Sequence, residues 1–419
     1  MTAAYGEATA SGTSALAARF DRAFWIGLGL TGLAALVYWL SNRFFDAHHA
    51  DFFYLADAFL HGRTWYAADA APPGAIGTAD VIPVNGGFYV PFAPFPAIAF
   101  MPLVAIIGPV TADEWESGIN AVLAASSVGL GWWLLARYGV RSLVNRFWLV
   151  LLLGFSTQIW WVTTRGGVWH TGQLIATILT LACLIELAGR RRAVLIGLLA
   201  GAAFLSRAPV AAAVPFYALM LAGDSVWEPR RWPWREWAGL AAGLIPSIVF
   251  FLWYNDVRFG SPFESGYGLA TLPEWLEARR QIGLFSLAHV PVNLDYLFIH
   301  LPTPIPDVPW LRPDGLGLSI LITSPGLLYA VRAPWRESRS WWLAGAALLV
   351  LIPSLLYYGG GWLQYGYRYA LDSIPFVWAL CGLAVVRDEA RAGMSWLWRG
   401  LILVGVVVGL AGVYWAYHI

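Results

Sequence analysis

Lysine is missing from the 419-residue chain; all 26 basic side chains are arginine, a bias that matches a GC-rich coding sequence. Charge of either sign is scarce. Only 12% of residues are Asp, Glu, Lys or Arg, about half the roughly 25% usual in soluble domains. That scarcity excludes a soluble enzyme and a disordered chain. A net charge of +1 leaves no basic surface suited to nucleic acid. Cysteine is limited to Cys183 and Cys381, both inside apolar runs, which excludes a disulfide scaffold and a redox motif. Met1 to Ala18 carries no signal-peptide cleavage pattern.

What the chain has instead is long apolar runs, with 59% hydrophobic residues and a mean hydropathy of +0.61. The runs are unbroken rather than alternating, so the expectation is an all-α polytopic membrane protein and not a β-barrel. They fall at 23–42, 87–109, 117–136, 146–163, 169–188, 193–206, 208–222, 237–255, 315–331, 340–358, 372–386 and 397–418. Arg207 and Pro209 split the short runs 193–206 and 208–222, which read as a hairpin of two short helices. No soluble domain is expected after the last run.

Arginine placement sets the topology. Arg19 and Arg22 put residues 1–22 in the cytoplasm under the positive-inside rule. If every run crossed, Arg137, Arg141 and Arg146 would lie outside, and the arginine-free acidic segment 110–116 would lie inside. Letting run 87–109 return without crossing repairs all later loops. Its Tyr89-Val-Pro-Phe-Ala-Pro-Phe-Pro sequence agrees, because three prolines in six residues cannot open a straight spanning helix. The expectation is about eleven transmembrane helices plus a membrane-parallel or re-entrant segment. Residues 23–419 form one membrane-embedded domain, the C-terminus is external, and the long external loops are 43–116 and 256–314.

Those loops hold most of the acids and five of the seven histidines, which points to a functional surface at the outer membrane boundary. From about 50 to 61 the first loop reads as a helix ended by Gly62, with an apolar stripe suited to lying on a membrane. Asp46, His48, His49 and Asp51 cluster at its start. A carboxylate there could act as a general base, and the His/Asp spacing could hold a divalent ion or form a solvated polar cap. Arg165 and His170 flank an external helix-to-helix turn, and Arg165 reads equally as a snorkelling side chain. Arg258 follows a crossing. Arg368 sits among tyrosines, including Tyr367, at another external turn, where an arginine suits a lipid phosphate or an aromatic belt. Asp372 could orient Arg368. Residues 302–309 read as a stiff extended strut.

In order along the chain stand Tyr54-Leu-Ala-Asp-Ala-Phe-Leu-His-Gly-Arg63, Tyr89-Val-Pro-Phe-Ala-Pro-Phe-Pro-Ala97 and Arg165-Gly-Gly-Val-Trp-His170. Then come Arg258-Phe-Gly-Ser-Pro262, Thr323-Ser-Pro-Gly326 and Gly366-Tyr-Arg-Tyr-Ala-Leu-Asp-Ser-Ile-Pro375. The series resembles the family-C membrane glycosyltransferases, the superfamily of protein mannosyltransferases and aminoarabinose transferases that use polyprenyl-phosphate sugars. The resemblance implies a multi-pass protein of the cell inner or plasma membrane with an extracytoplasmic active site. Its donor would be a polyprenyl-phosphate sugar, and its acceptor the hydroxyl of a lipid, glycan or protein. Transfer would invert the anomeric carbon.

By that resemblance Asp51 or Asp46 is the base, and Arg368 is the first choice for the donor phosphate, followed by Arg165, His170 and Arg258, with Tyr367 alongside. Many relatives carry adjacent acids where this chain has His48-His49, so the base is displaced to Asp46 or Asp51, or the two histidines help bind a metal, or activity is lost. A transporter or flippase, or a non-catalytic binding protein for lipid-linked sugars, is the competing reading.

Overall fold

The computed structural model describes residues 22–42, 51–78, 80–308, 310–361 and 363–416, with the backbone alone at Asp51 and Arg165. The fold is a bundle of apolar helices. Seven segments are long and apolar enough to cross a membrane. These are α1 (Arg22–Asn42), α4 (Glu116–Tyr138), α7 (Val168–Ala188), Ala208–Trp227, α10 (Trp234–Phe259), α12 (Ser338–Leu356) and α14 (Trp396–Ala416). Within the fourth of these, a 3-10 turn leads into α9 (Val214–Ala222).

Four other runs expected to cross are shorter or broken. The run 146–163 divides into α5 (Leu143–Phe155) and α6 (Ile159–Arg165). Thr157 Oγ1 turns back onto the Leu153 carbonyl at 2.6 Å, in competition with the helical ladder. Run 193–206 is α8 (Ala193–Phe204). Run 315–331 is a four-residue helix, Ile320–Thr323, and a 3-10 turn from Pro325, which has no N–H to continue the ladder. Run 372–386 is α13 (Ile374–Glu389), entered through a 3-10 turn, Arg368–Asp372.

The stretch expected to return without crossing is a hairpin and a short helix. Residues 82–89 form a hairpin of β1 (Ile82–Val84) and β2 (Gly87–Tyr89). The helix α3 (Phe95–Ile107) follows, with Pro102 inside it. Thirteen residues reach only about 20 Å at 1.5 Å each, short of a hydrocarbon core of roughly 30 Å. α3 packs against α2 (Asp51–Leu60), where the rings of Phe53 and Phe100 lie 4.8 Å apart. Gly62 ends α2 at φ +70°, a conformation glycine adopts without penalty. The apolar stripe of α2 does not lie on a membrane. Phe52, Phe53, Leu55 and Ala56 are buried in a core shared with Phe100, Val104, Val168 and Ile175. The protein's own helices supply the apolar cover that lipid was expected to give.

Side chains place the turns on two ends. Arg339 stacks on Tyr138, the Glu389 carboxylate accepts from the Arg141 and Ser142 amides, and Arg332 pairs with Asp388. The arginine-rich turns therefore gather at one end. At the other end the two long loops meet: Arg258 donates to the Val90 carbonyl, and Phe92 packs edge-on against Tyr267. α8 and α10 cross closely, because a Cβ on Gly197 or Gly243 would run into the facing backbone. In the second loop, residues 303–312 form a small hairpin, β3 (Thr303–Pro304) with β4 (Leu311–Arg312), where an unpaired strut was expected. Cys183 and Cys381 are buried free thiols.

Candidate active site

Gly366, at φ +77°, and Pro375 bracket the 3-10 turn that carries Arg368, Tyr369 and Asp372. Gly366 turns the chain before it and Pro375 opens α13 after it, so the three side chains project from a tight turn at the loop-bearing end. Gln364 and Gln173 pin the backbone of Arg368: its amide donates to Gln364 Oε1 at 3.1 Å, and its carbonyl accepts from Gln173 Nε2 at 2.9 Å. The side chain is only 7% exposed, yet among the described residues Nε and Nη1 have no hydrogen-bond partner. The guanidinium lies 4.8 Å from the centre of the Tyr369 ring.

A second guanidinium uses the same ring. Arg207 sits 5.3 Å from the Tyr369 centroid and pairs with the buried Asp372 carboxylate at 2.8 Å. Asp372 therefore holds Arg207, not Arg368 as its position in sequence suggested. Asp372 is taken up by Arg207, and among the described residues no carboxylate closes an ion pair with Arg368. A buried cation without an anion is costly, so a site of this kind is built for an anionic group.

Asp80 faces this cluster from the first loop. Its Oδ1 accepts from the Trp169 indole at 3.1 Å. Burial pushes its carboxyl up to about 6, against the opposing pull of the Trp169 N–H and the Arg368 charge. It does not close an ion pair with Arg368, though the Arg368 charge acts on it. Tyr267 joins the group from the second loop. Burial raises its phenol well above the ordinary value, opposed by Arg207 and reinforced by Tyr369, Tyr358 and Asp80.

The other expected site residues fall in three groups. Asp46, His48 and His49 lie outside the described residues, and for Asp51 and Arg165 only the backbone is described. His170 is buried in the first turn of α7; its Nδ1 meets the Gly166 carbonyl, and its ring stands edge-on to Trp161 at 5.3 Å. Arg258 and Tyr367 are committed to the protein itself. Arg258 donates to the carbonyls of Val90 at 2.6 Å and Tyr254 at 3.1 Å and to Asn255 Oδ1 at 2.8 Å, and it stacks on Tyr254. Tyr367 is fully buried and donates to the Ser354 carbonyl at 3.1 Å. Among the described residues no group of three His, Cys, Asp or Glu comes together to hold a metal ion.

Three buried or part-buried charged residues in and around this cluster escaped the sequence reading. Arg207 registered only as a break between apolar runs, although a charge at such a position is itself a signal. Asp80 has no local motif. Glu116 is a buried acid at the start of α4 whose Oε1 accepts from the Gly167 amide at 2.9 Å and from Thr171. It fixes the Gly166-Gly167 turn before α7, where both glycines have positive φ.

Among solved structures, the chain is similar to the apo crystal structure of the Archaeoglobus fulgidus oligosaccharyltransferase, with a TM-score of 0.52 and 14% identity. The match covers 93% of this chain and 55% of that one, so the chain spans about half the length of the solved protein. The chain shares the overall fold of the matched part of that protein. No family model and no curated protein sequence matches it. At 14% identity the likeness speaks for the fold alone.

Proposed function

We propose that the protein is a membrane glycosyltransferase that moves a sugar from a polyprenyl-phosphate donor to an acceptor hydroxyl, with inversion. The observation that carries this is the buried, unpaired guanidinium of Arg368 at the loop-bearing end. Arg368 receives the donor phosphate, and the Arg207–Asp372 pair and Tyr369 hold it in place. A carboxylate of the first loop, Asp51 or Asp46, takes the acceptor proton. The acceptor oxygen then bonds to the anomeric carbon, and the carbon–oxygen bond to phosphate breaks. The electron pair leaves with the phosphate, whose growing charge Arg368 meets.

His48 and His49, with these acids, are the residues that would hold a divalent ion if the reaction uses one. Arg258 and Tyr367 have internal partners and are left out of the donor site. Arginine asymmetry supports placing the loop-bearing end outside the cell inner or plasma membrane, with the N-terminus in the cytoplasm. The acceptor belongs to a lipid, glycan or protein. The fold supports an enzyme of this class and does not choose among sugars.

The test is sugar transfer by purified protein in a lipid bilayer, with a panel of labelled polyprenyl-phosphate sugars. Wild type would run beside Arg368→Ala, Asp51→Asn and Asp46→Asn. The expected result is transfer or donor hydrolysis by wild type, reduced 10²–10³-fold or more in Arg368→Ala and in one Asp variant, the usual loss for one electrostatic contact to the transition state. Normal turnover by Arg368→Ala would remove that residue from the site. Tight lipid binding without turnover in all four proteins would support a binding or transport role.

A further inference from the structure

Asp80 has no part in the reaction outlined above, yet its surroundings are those of a site residue. It belongs to the loop between α2 and the β1–β2 hairpin, and its neighbour Val81 is buried. Trp169, in the first turn of α7, holds Oδ1. Oδ2 takes no hydrogen bond among the described residues. The charge of Arg368 acts on it, and among the described residues two buried nitrogens of that guanidinium take no hydrogen bond. Two opposite charges withdrawn from water attract strongly and normally close into contact. Here the Trp169 indole restrains one and the Gln364–Gln173 clamp restrains the turn bearing the other, so they stay apart. Both keep unused hydrogen-bonding capacity of complementary kinds: Arg368 offers donors and Asp80 an acceptor.

A ligand that satisfies both must carry an anion next to a hydroxyl. A bare lipid phosphate fills only the arginine side and brings its negative charge near Asp80. A phosphate bonded to a sugar supplies both groups at once. We propose, on the reading that Arg368 holds the donor phosphate, that Asp80 accepts a hydrogen bond from a hydroxyl of the sugar on that phosphate and so selects the sugar-charged lipid over the bare one. Asp80 is then a specificity-determining residue of the donor site, distinct from the base. Its raised pKa agrees with a carboxyl kept from water until a hydroxyl reaches it. The arrangement also favours turnover, since the carboxylate repels the bare lipid phosphate left after transfer.

Binding separates this inference from the reading beneath it. Purified full-length protein in nanodiscs would be titrated with decaprenyl and undecaprenyl phosphates, bare and carrying hexoses or pentoses. Wild type, Asp80→Asn, Trp169→Phe and Arg368→Ala would be compared. Arg368→Ala should weaken binding of bare and sugar-bearing lipids alike. Asp80→Asn should weaken the preferred sugar-bearing lipid about 10–100-fold, as losing a charged hydrogen-bond partner does. It should leave the bare phosphate unchanged or bound more tightly, because a nearby negative charge is gone. Trp169→Phe keeps the ring and loses the N–H, so it should show a smaller loss of the same selectivity and keeps the inference testable if Asp80→Asn does not fold. Equal losses for both lipids in Asp80→Asn, or none for either, would overturn the role of Asp80 while leaving Arg368 in place. Failure of wild type to bind any lipid phosphate would overturn both.

Discussion

Arg207 and Asp372, 165 positions apart in sequence, meet at 2.8 Å with the carboxylate buried. Three short contacts from Nε and Nη2 make the pair fork-like. Asp372→Asn leaves a buried arginine without its anion, and such a change costs about 3–5 kcal/mol. Arg368→Ala removes a side chain that makes no hydrogen bond, so it should change stability far less while abolishing donor binding. Thermal unfolding in detergent, run beside lipid-phosphate binding, checks this reversed order of effects. A melting-temperature loss in Arg368→Ala equal to that in Asp372→Asn would contradict it.

Arg258 ties α10 to the first loop through Val90. Arg258→Ala strands the Val90 carbonyl and empties the stack on Tyr254, so a destabilisation of roughly 2–4 kcal/mol is expected. Bare and sugar-bearing lipids should be affected alike, since the guanidinium is already occupied. Hydrogen exchange should show the first loop opening before the bundle. A selective loss of phosphate affinity with an intact first loop would return Arg258 to the donor site.

Asp80 makes stability depend on pH in a defined direction. Its folded carboxyl is raised from 3.8 to about 6. The unfolded chain therefore loses this proton first as pH rises. The carboxyl costs nothing below pH 3.8, and its penalty grows up to about pH 6 and stays constant above. At pH 7 an upper bound of roughly 3 kcal/mol is stored there. Asp80→Asn should consequently melt higher than wild type at pH 7, with the gap narrowing toward pH 4. Melting curves at both pH values decide it, and a lower melting temperature for the variant at pH 7 would contradict the account.

His300 has the opposite sign. Its Nδ1 meets Asp295 at 3.0 Å and its Nε2 meets Asp314 at 2.6 Å, so the ring links the two ends of the segment bearing β3 and β4. Burial works against the charged ring, but the hydrogen bonds to Asp314 and Asp295 outweigh it and hold its pKa above the ordinary value of 6.5. The folded state binds this proton more tightly. The contribution is complete below pH 6.5 and is lost as pH rises through the raised folded value. Amide exchange across 295–319 should therefore quicken on going from pH 6 to pH 9, after correction for intrinsic rates. His300→Gln should exchange at the faster rate at both pH values.

The sequence by itself determined that this is a helical membrane protein and which turns share an end. Those properties follow from local composition: apolar length, prolines that stop helices, and arginines that prefer one side of a bilayer. It also marked Arg368 by its tyrosine neighbours. Tertiary structure alone decided the partners. Asp372 lies one turn from Arg368 and looked bound to it, but the 3-10 geometry swings the carboxylate to Arg207, which arrives from another helix pair. Arg258 looked free in the sequence and is spent on Val90, a contact no local pattern encodes. Asp80 stands in a loop without any motif and gains its meaning from Trp169 and Arg368, brought close by helix packing. Charge pairing depends on three-dimensional distance and on exclusion of water, and neither is written in residue spacing.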